Sequence, residues 1–360
     1  MKVTIIGAGL LGRLLAWQLL ERGHAVTLLD KGDKSGVDSA GTIAAAMLAP
    51  ISEVLDAEPV VYSQGVAGMQ VWREWAEQLN ATTEHFIELR LSGSVVVSHR
   101  NDSGDYQRFV QRVLGEPVIE AGSVQQLDRR ALAELEPELG ASFDRGCYLA
   151  TEGCIDNAAL YRALRQRIET LQQQHGGQWR TGENIEQIQA EQFDADYLLD
   201  CRGFGAHETV KSLRGVRGEV LRVHAPEVNL SRPVRLMHPR YKLYIAPKPN
   251  HEYIIGATQI ESESEHPVTV RSSLELLSAL YSVHKGFAEA EVLLQSARCR
   301  PAFNDNLPAV IRSGKLLTVN GLYRHGYLLS PSLVRQTLHE LGVLAEACWP
   351  AIVEQLEGAA

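Results

Sequence analysis

The sequence has 360 residues, of which 45% are hydrophobic and 22% are charged. A chain of this length is long enough for two hydrophobic cores, because single cores rarely grow beyond about 250–300 residues. The net charge of −9 argues against a nucleic-acid partner, since phosphate binding requires clustered Lys and Arg. The five cysteines are odd in number and include no CxxC pair, so neither a disulfide framework nor a metal site is predicted.

The N-terminal apolar segment needs its own interpretation. Lys2 followed by residues 3–20 loosely resembles a signal peptide, but Arg13 interrupts the apolar run and no A-x-A cleavage site follows. Elsewhere no uninterrupted apolar run approaches the ~20 residues of a membrane-spanning helix. We therefore predict a cytoplasmic protein without a membrane span.

The first thirty residues have the pattern of a βαβ unit. Residues 3–6 are apolar and β-branched, which predicts a buried strand, and the leucines of 14–20 predict a helix that ends at Gly23. Residues 25–29 predict a second strand that closes on Asp30. The length of the segment is about that of a parallel crossover unit.

Three glycines lie between the first strand and the helix. Gly7, Gly9 and Gly12 have the G-x-G-x-x-G spacing of dinucleotide-binding turns. Gly7 permits the tight turn, Gly9 lets the backbone approach a pyrophosphate at the helix N-terminus, and Gly12 allows close packing of helix and strand. Asp30 lies where a carboxylate accepts hydrogen bonds from an adenosine ribose. The pattern indicates a bound dinucleotide, and by itself it does not separate FAD from NAD.

The remaining predicted elements alternate in type along the chain. They are a small-residue segment at 39–47 that either lies flat against a ligand or forms an Ala-rich helix, a helix containing Trp72 and Trp75, a strand at 93–98, a helix and its exit at 128–139, an amphipathic helix at 157–174, a strand at 197–201, a β-rich segment at 218–258 with paired strands at 241–246 and 252–255, a strand at 316–321 and a closing helix at 332–347. This order predicts an α/β fold (α+β overall) with a discontinuous nucleotide domain and a β-rich substrate domain.

A resemblance to a known family appears near the C-terminus. Residues 319–331, Val-Asn-Gly-Leu-Tyr-Arg-His-Gly-Tyr-Leu-Leu-Ser-Pro, resemble the flavin motif of the D-amino acid oxidase superfamily, and in particular that of the ThiO-type glycine oxidases. Five further segments agree with this family in order and spacing, namely 44–47, 135–137, 244–247, 256–258 and 299–301. The resemblance covers essentially the whole chain.

This resemblance implies FAD held noncovalently in a D-amino acid oxidase-like fold. The implied FAD-binding domain comprises residues 1–85, 145–215 and 298–360, and the substrate-binding domain comprises residues 86–144 and 216–297. The residues that fall at the cofactor-contacting positions of the family, with the three glycines, are Gly7, Gly9, Leu10, Leu11, Gly12, Asp30, Lys31, Ala40, Gly41, Ala45, Ala46, Met47, Ile185, Leu322, Tyr323, Arg324, His325, Gly326, Tyr327 and Leu328.

The resemblance also implies which side chains meet the substrate. Arg300 and Arg324 fall where the family holds the substrate, and Tyr244 falls where a tyrosine faces it. A guanidinium binds an amino acid carboxylate bidentately, which suits this role. Arg324 turns either inward to the substrate or outward to a structural carboxylate. The family transfers hydride from the α-carbon to flavin N5 without a strong side-chain base, and a helix beginning near Ser332 would stabilise negative charge on the N1–C2 edge.

Two positions raise further questions. Lys242 stands where better-known glycine oxidases have histidine, and it shares a strand face with Tyr244. It either favours a second carboxylate in the substrate or is a solvated lysine near the pocket mouth. In the related sarcosine oxidases a cysteine in the region of Cys299 bonds covalently to the flavin, whereas the stronger resemblance to glycine oxidases implies a noncovalent cofactor.

The implied function is oxidative deamination of glycine or another small amino acid or amine. Oxygen is then the second substrate, hydrogen peroxide is a product, and iminoacetate is available for the synthesis of the thiamine thiazole. Two alternatives stay open, a D-amino acid or sarcosine dehydrogenase or oxidase that passes electrons to a quinone or carrier, and a non-catalytic interaction protein with a nucleotide fold. The sequence ranks neither the amines nor the oligomeric states, so a homo-oligomer stays open as well.

Overall fold

The computed structural model of the protein describes residues 1–238 and 242–345, with only the backbone described at residue 242. The strands in these ranges are β1 (Lys2–Ile6), β2 (Ala25–Asp30), β3 (Met47–Leu48), β4 (Leu89–Arg90), β5 (Ser94–Ser98), β6 (Val124–Asp128), β7 (Arg145–Leu149), β8 (Gly153–Ile155), β9 (Gly177–Thr181), β10 (Tyr197–Asp200), β11 (Arg214–His224), β12 (Val234–Met237), β13 (Lys242–Lys248), β14 (Glu252–Gly256), β15 (Ile260–Glu261), β16 (Glu291–Ala302), β17 (Ala309–Ser313) and β18 (Leu316–Asn320). The helices are α1 (Leu10–Leu20), α2 (Ala40–Ile43), α3 (Pro50–Glu53), α4 (Pro59–Thr82), α5 (Ser103–Gly115), α6 (Arg129–Leu135), α7 (Pro137–Gly140), α8 (Asn157–His175), α9 (Val270–Val283) and α10 (Gly326–Glu340).

A six-stranded sheet carries the N-terminal βαβ unit. Its order is β17-β18-β10-β1-β2-β9. The pairs β1–β2, β1–β10, β10–β18 and β2–β9 are parallel, and β17 is an antiparallel edge strand. The predicted βαβ unit and the predicted strands near 197 and 316 are therefore confirmed. The helix begins at Leu10, four residues earlier than the leucine pattern indicated.

Helix α1 is buried along its whole length, because the sheet lies on one side and α4, α8 and α10 lie on the other. This burial includes Arg13, whose side chain is fully inaccessible. Its guanidinium donates to the carbonyls of Ala8 and Lys34 and lies 4.7 Å from the ring centroids of both Tyr161 and Trp179. The residue that interrupts the apolar run in the sequence thus ties the loop after β2 to the helix.

A nine-stranded, mostly antiparallel sheet forms the second layer. Its path is β15-β11-β14-β13-β12-β5-β7-β6, with β16 also paired to β11. The predicted β-hairpin is confirmed as β13 and β14, and its first predicted residue, 241, lies outside the described ranges. One face of the sheet packs on α9 through residues such as Leu221, Ile245 and Leu276. The other face, which includes Val220, Tyr244 and Ile254, packs against the segment around Ala45.

The mixed α/β class is confirmed, whereas the domain boundaries stay a prediction. Strand β7, which the sequence assigned to the nucleotide domain, pairs with β5 and β6 in the nine-stranded sheet. Strand β16, which has twelve residues, was not predicted from the sequence. Among the described residues, no helix combines the length and the apolar character that crossing a bilayer requires.

The closing helix was predicted wrongly at its start. Helix α10 begins at Gly326, six residues before Ser332, and contains Pro331 in its interior. Proline cannot donate to the carbonyl four residues earlier, which here belongs to Tyr327. The indole N–H of Trp72 on α4 donates to that carbonyl at 2.6 Å instead. The helix therefore tolerates its proline because another helix supplies the missing donor. The predicted residues 346–347 lie outside the described ranges.

Candidate active site

A single cavity of about 600 Å³ runs from the glycine-rich turn to the face of the nine-stranded sheet. This volume lies within the range of about 300–1,000 Å³ that is usual for ligand and cofactor sites. Most of the predicted cofactor residues line the cavity together with Tyr244 and Arg300; they are Gly7, Gly9, Leu10, Leu11, Asp30, Lys31, Ala40, Gly41, Ala45, Ala46, Met47, Leu322, Tyr323, Arg324, Gly326 and Tyr327.

The turn between β1 and α1 is built for close approach of the backbone. Gly7 has φ +101°, and a Cβ on it would lie 2.5 Å from the carbonyl oxygen of Cys201. A Cβ on Gly12 would lie 1.8 Å from the carbonyl oxygen of Gly7. Gly9 caps α1 without a side-chain hydrogen bond, so the first amides of the helix point at the cavity without partners from the helix. The turn and the first amides of α1 therefore fit the pyrophosphate of a dinucleotide.

Asp30 ends β2 at the same edge of the sheet. One carboxylate oxygen accepts from the N–H of Ala8 at 2.5 Å and the other accepts from Gly32 at 2.7 Å. Each carboxylate oxygen has a second lone pair, so the group can still accept from a ribose hydroxyl. The carboxylate therefore fastens the turn and borders the nucleotide end of the cavity.

The small-residue segment continues the wall from α2 to β3. Ala46 has φ +52°, a backbone conformation that costs a non-glycine residue of the order of 1 kcal/mol. The buried Lys248 donates to the carbonyls of Ala45 and Ile155 at 2.8 and 2.6 Å, and burial lowers the pKa of its ammonium group. Asn157 donates to the carbonyls of Thr42 and Ala44 at 2.7 and 2.9 Å. These two side chains, which sequence reasoning missed, hold the segment in place.

Four of the predicted cofactor residues do not line the cavity. Gly12 packs against Gly7, and Leu328 packs against Gly65 on α4. His325 is buried behind the wall. The backbone carbonyl of Ile185 accepts a hydrogen bond from Arg202 at 2.8 Å.

Arg202 itself lines the cavity and was not predicted. Its guanidinium donates two hydrogen bonds to Asp200, at 2.8 and 2.7 Å. The Arg-Gly-Phe-Gly segment that follows β10 was the signal in the sequence that could have indicated it.

Tyr244 and Arg300 meet on the sheet face at the other end of the cavity. The Arg300 guanidinium lies over Gly218, where a Cβ would stand 2.2 Å from Nη2, and its Nη1 donates to the carbonyl of Thr258 at 3.1 Å. Burial raises the pKa of the Tyr244 hydroxyl, and the nearby Arg300 charge offsets this only in part. The phenol is thus a neutral donor beside a cation, which is an arrangement suited to a carboxylate.

Arg324 adopts the second of its two predicted orientations. Its Nη2 lies 2.5 Å from Glu53 and 3.3 Å from Asp56, and its Nη1 donates to Gln259 at 3.3 Å. Burial would raise the pKa of Glu53, but the charges of Arg324, His325 and Arg235 outweigh this effect and leave the pKa below its usual value. Arg324 therefore faces structural carboxylates while it borders the cavity.

Glu53, Glu152 and Arg235 also line the cavity, and sequence reasoning missed all three. Glu152 is fully buried, and it accepts from the N–H and hydroxyl of Ser52 at 2.5 and 3.1 Å and from the hydroxyl of Ser94. Burial raises the pKa of Glu152 to about 7, against the opposing effect of these hydrogen bonds. A lone acidic residue in a loop gives no pattern from which to predict such a site.

The two positions that raised questions have different outcomes. The side chain of Lys242 lies outside the described residues. The thiol of Cys299 donates to the carbonyls of Ser262 and Ser264, at 3.7 Å in each case. Burial raises the pKa of this thiol, and a neutral thiol is a poor nucleophile. Both features favour a noncovalent cofactor.

Comparison with known proteins agrees with this geometry. The family described as FAD dependent oxidoreductase (DAO) matches residues 2–337. A putative thiamine biosynthesis oxidoreductase ThiO of Rhizobium etli is 37% identical over 95% of this chain and 96% of its own length. A glycine oxidase of Geobacillus kaustophilus is 27% identical over 91% of this chain and 89% of its own length. The crystal structure of glycine oxidase from Geobacillus kaustophilus superposes with a TM-score of 0.80 at 24% identity, over 97% of this chain and 96% of that one.

Proposed function

The chain belongs to the DAO family of FAD-dependent oxidoreductases, and from this premise we propose that it oxidises the carbon–nitrogen bond of a small amino acid or amine. The family, the fold class and the FAD cofactor predicted from the sequence are thereby confirmed. Membership of an enzyme family also argues against the alternative of a non-catalytic interaction protein.

The position of Arg300 is the observation that carries the proposal. Within the described residues, no carboxylate lies within 4.0 Å of its guanidinium, although the group lies inside a cavity. A guanidinium in such a place is stabilised by an incoming anion, and its fork of donors matches a carboxylate. We therefore assign Arg300 to the α-carboxylate of the substrate, with the hydroxyl of Tyr244 as a second donor.

The remaining residues orient the reacting partners. When bound, FAD would supply the two-electron acceptor, and the residues of the glycine-rich turn would hold its pyrophosphate. Glu53 and Arg324 neutralise each other at the cavity wall, so this pair offers the substrate little net charge. A substrate amine that binds in its neutral form needs no strong base from the protein. This agrees with the observation that, in the described part of the chain, no carboxylate lies within 4.0 Å of the Arg300 guanidinium. Oxygen as the final acceptor, with hydrogen peroxide as product, belongs to the proposal.

The names of the relatives support a biological role as well. A ThiO of Rhizobium etli and a glycine oxidase of Geobacillus kaustophilus both align over most of their length. We propose that the imine product of glycine supplies the thiazole part of thiamine, and that the protein acts in the cytoplasm.

Anaerobic titration of the yellow holoenzyme tests the proposal. Glycine, sarcosine, D-alanine and D-proline are added in turn, and we expect at least one to bleach the visible absorbance of the flavin. Admission of air then separates the two redox alternatives. Rapid recovery of colour with stoichiometric peroxide supports an oxidase, whereas slow recovery with fast reduction of an artificial dye would establish a dehydrogenase. Absence of bleaching by every amine would contradict the proposal.

A further inference from the structure

Arg235 places a second guanidinium in the cavity. It lies on β12, directly opposite Tyr244 of β13 in the antiparallel register. Directly opposed residues share one face of the sheet, with Cβ atoms about 5 Å apart. Since the strand order is β16-β11-β14-β13-β12, Tyr244 stands between Arg300 on one side and Arg235 on the other. All three side chains line the same cavity.

Neutral groups hold the Arg235 guanidinium. Its Nη1 donates to the carbonyl of Ser52 at 3.1 Å, and its central carbon lies 5.5 Å from the centroid of the Phe109 ring. Among the described residues, no carboxylate lies within 4.0 Å of it. A guanidinium has five N–H donors, and the hydrogen bond to Ser52 uses one of them.

The nearest carboxyl groups are engaged elsewhere. Glu53 pairs with Arg324 at 2.5 Å. Glu152 accepts from Ser52 and Ser94, and burial raises its pKa to about 7, which favours its neutral form in acid and weakens its charge at neutral pH. Among the described residues, neither carboxyl group lies within 4.0 Å of the Arg235 guanidinium, although the charge of Arg235 acts to lower the pKa of both.

We propose that Arg235 forms a second anion-binding subsite and that the preferred substrates are amino acids with a second carboxylate. The inference rests on the proposed amine oxidation, because it assigns the α-carboxylate to Arg300. The second carboxylate is carried either by the substituent on nitrogen or by the side chain at the α-carbon. Both arrangements present two carboxylates on one molecule, one for each guanidinium on this sheet face.

Binding of simple carboxylates tests the subsite without turnover. Malonate and succinate are titrated into the oxidised holoenzyme by calorimetry, with acetate and propionate as monocarboxylate references. A charged, bidentate contact changes affinity by about 10- to 100-fold, so we expect the dicarboxylates to bind tighter by that factor. Arg235→Gln should abolish this preference, and Arg235→Lys should retain part of it. Arg73→Gln, which removes an exposed charge on α4, should leave the preference unchanged.

Substrate kinetics show whether the second carboxylate belongs to the substituent on nitrogen or to the side chain at the α-carbon. Iminodiacetate is compared with sarcosine, and D-aspartate with D-alanine, in the wild type and in Arg235→Gln. In each pair, the kcat/KM of the dicarboxylate is divided by that of the monocarboxylate. For one pair this ratio should fall about 10- to 100-fold in the variant. That pair shows which position in the substrate holds the second carboxylate. The FAD content and the circular dichroism of each variant establish that it is folded.

The outcomes separate this inference from the proposed function. Oxidation of glycine or sarcosine without any preference for dicarboxylates in binding or kinetics would overturn the subsite and leave the amine oxidation standing. Dicarboxylate binding that depends on Arg235, without flavin bleaching by any amine, would support the subsite and overturn the proposed reaction. Equal losses for mono- and dicarboxylates in Arg235→Gln, with Arg235→Lys no better, would make Arg235 a structural counter-charge.

Discussion

The two ends of the cavity are built in different ways. The nucleotide end comes mostly from one stretch of chain, residues 7–47, and its lining includes glycines, backbone amides and the carboxylate of Asp30. The substrate end brings together Glu53, Arg235, Tyr244, Arg300 and Arg324 from elements far apart in the sequence. Shape limits the first end, since a methyl group added at Gly7 or Gly12 would collide with backbone atoms. Charge placement determines the second end.

This difference predicts how substitutions at each end affect the protein. A substitution at the nucleotide end changes backbone geometry and should cost stability and cofactor together. A substitution at the substrate end changes affinity or pH dependence and should leave the fold largely intact. The following predictions test that contrast, beginning with the largest expected effect.

Gly12→Ala should remove bound FAD and destabilise the protein by about 3 kcal/mol or more, because the new Cβ would lie 1.8 Å from a backbone oxygen of the tight turn. Gly115→Ala is the matched control, since no atom lies within 4 Å of the added Cβ, and its effect should stay within about 1 kcal/mol. The FAD-to-protein ratio and the thermal midpoint measure both effects. If Gly12→Ala had the same FAD-to-protein ratio and thermal midpoint as the control, the nucleotide end would accommodate the added methyl group.

Glu152→Gln should change how stability depends on pH. Burial raises the pKa of Glu152 from its ordinary value of 4.5 to about 7 in the folded protein, so between these values the folded state binds more protons than the unfolded state. The wild type therefore loses stability through this group as pH rises across that window, by an amount on the order of 3 kcal/mol. The glutamine variant lacks this loss.

Urea unfolding at pH 5 and pH 8, with equal FAD added to both proteins, measures the effect. The difference in unfolding free energy between variant and wild type should shift in favour of the variant at the higher pH. Other titrating groups cancel in this difference. Parallel pH profiles would mean that Glu152 is ionised in the folded protein across the whole range.

Arg300→Lys should weaken substrate binding about 10- to 100-fold, because lysine keeps the charge and loses the bidentate fork, a contact of about 1.5–3 kcal/mol. The fold should change little. The apparent KM and the thermal midpoint are compared with those of Arg73→Lys, a change on the exposed face of α4. An unchanged KM for every amino acid tested would remove Arg300 from the substrate site.

The smallest expected effect concerns Cys299. Acid precipitation of the wild type should leave a colourless pellet, because the buried thiol is neutral and donates to two carbonyls. A yellow pellet, with the mass of one flavin on the peptide that contains Cys299, would contradict this and place the protein closer to the sarcosine oxidases. Mass spectrometry of the tryptic peptides decides between the two.

The accuracy of the sequence predictions follows the same contrast. Gly7, Gly9 and Asp30 were found from spacing and from the flanking strands, and the structure places all three on the cavity wall. Tyr244 and Arg300 were found only through a family resemblance, because an isolated tyrosine or arginine on a strand has no pattern of its own. Their roles with the substrate stay predictions. The orientation of Arg324 depended on Glu53 and Asp56, which no spacing connects to it.

Local sequence by itself determined the βαβ unit, the glycine-rich turn and the hairpin of β13 and β14, because each depends on neighbours within a few residues of the chain. Only the tertiary structure decided that α10 runs through Pro331, because the indole of Trp72 supplies the donor that the proline lacks. It likewise decided that Arg235 lies opposite Tyr244 on the neighbouring strand and that burial raises the pKa of Glu152 to about 7. Burial and charge at a site are sums over residues from distant parts of the chain, and only the folded protein brings them together.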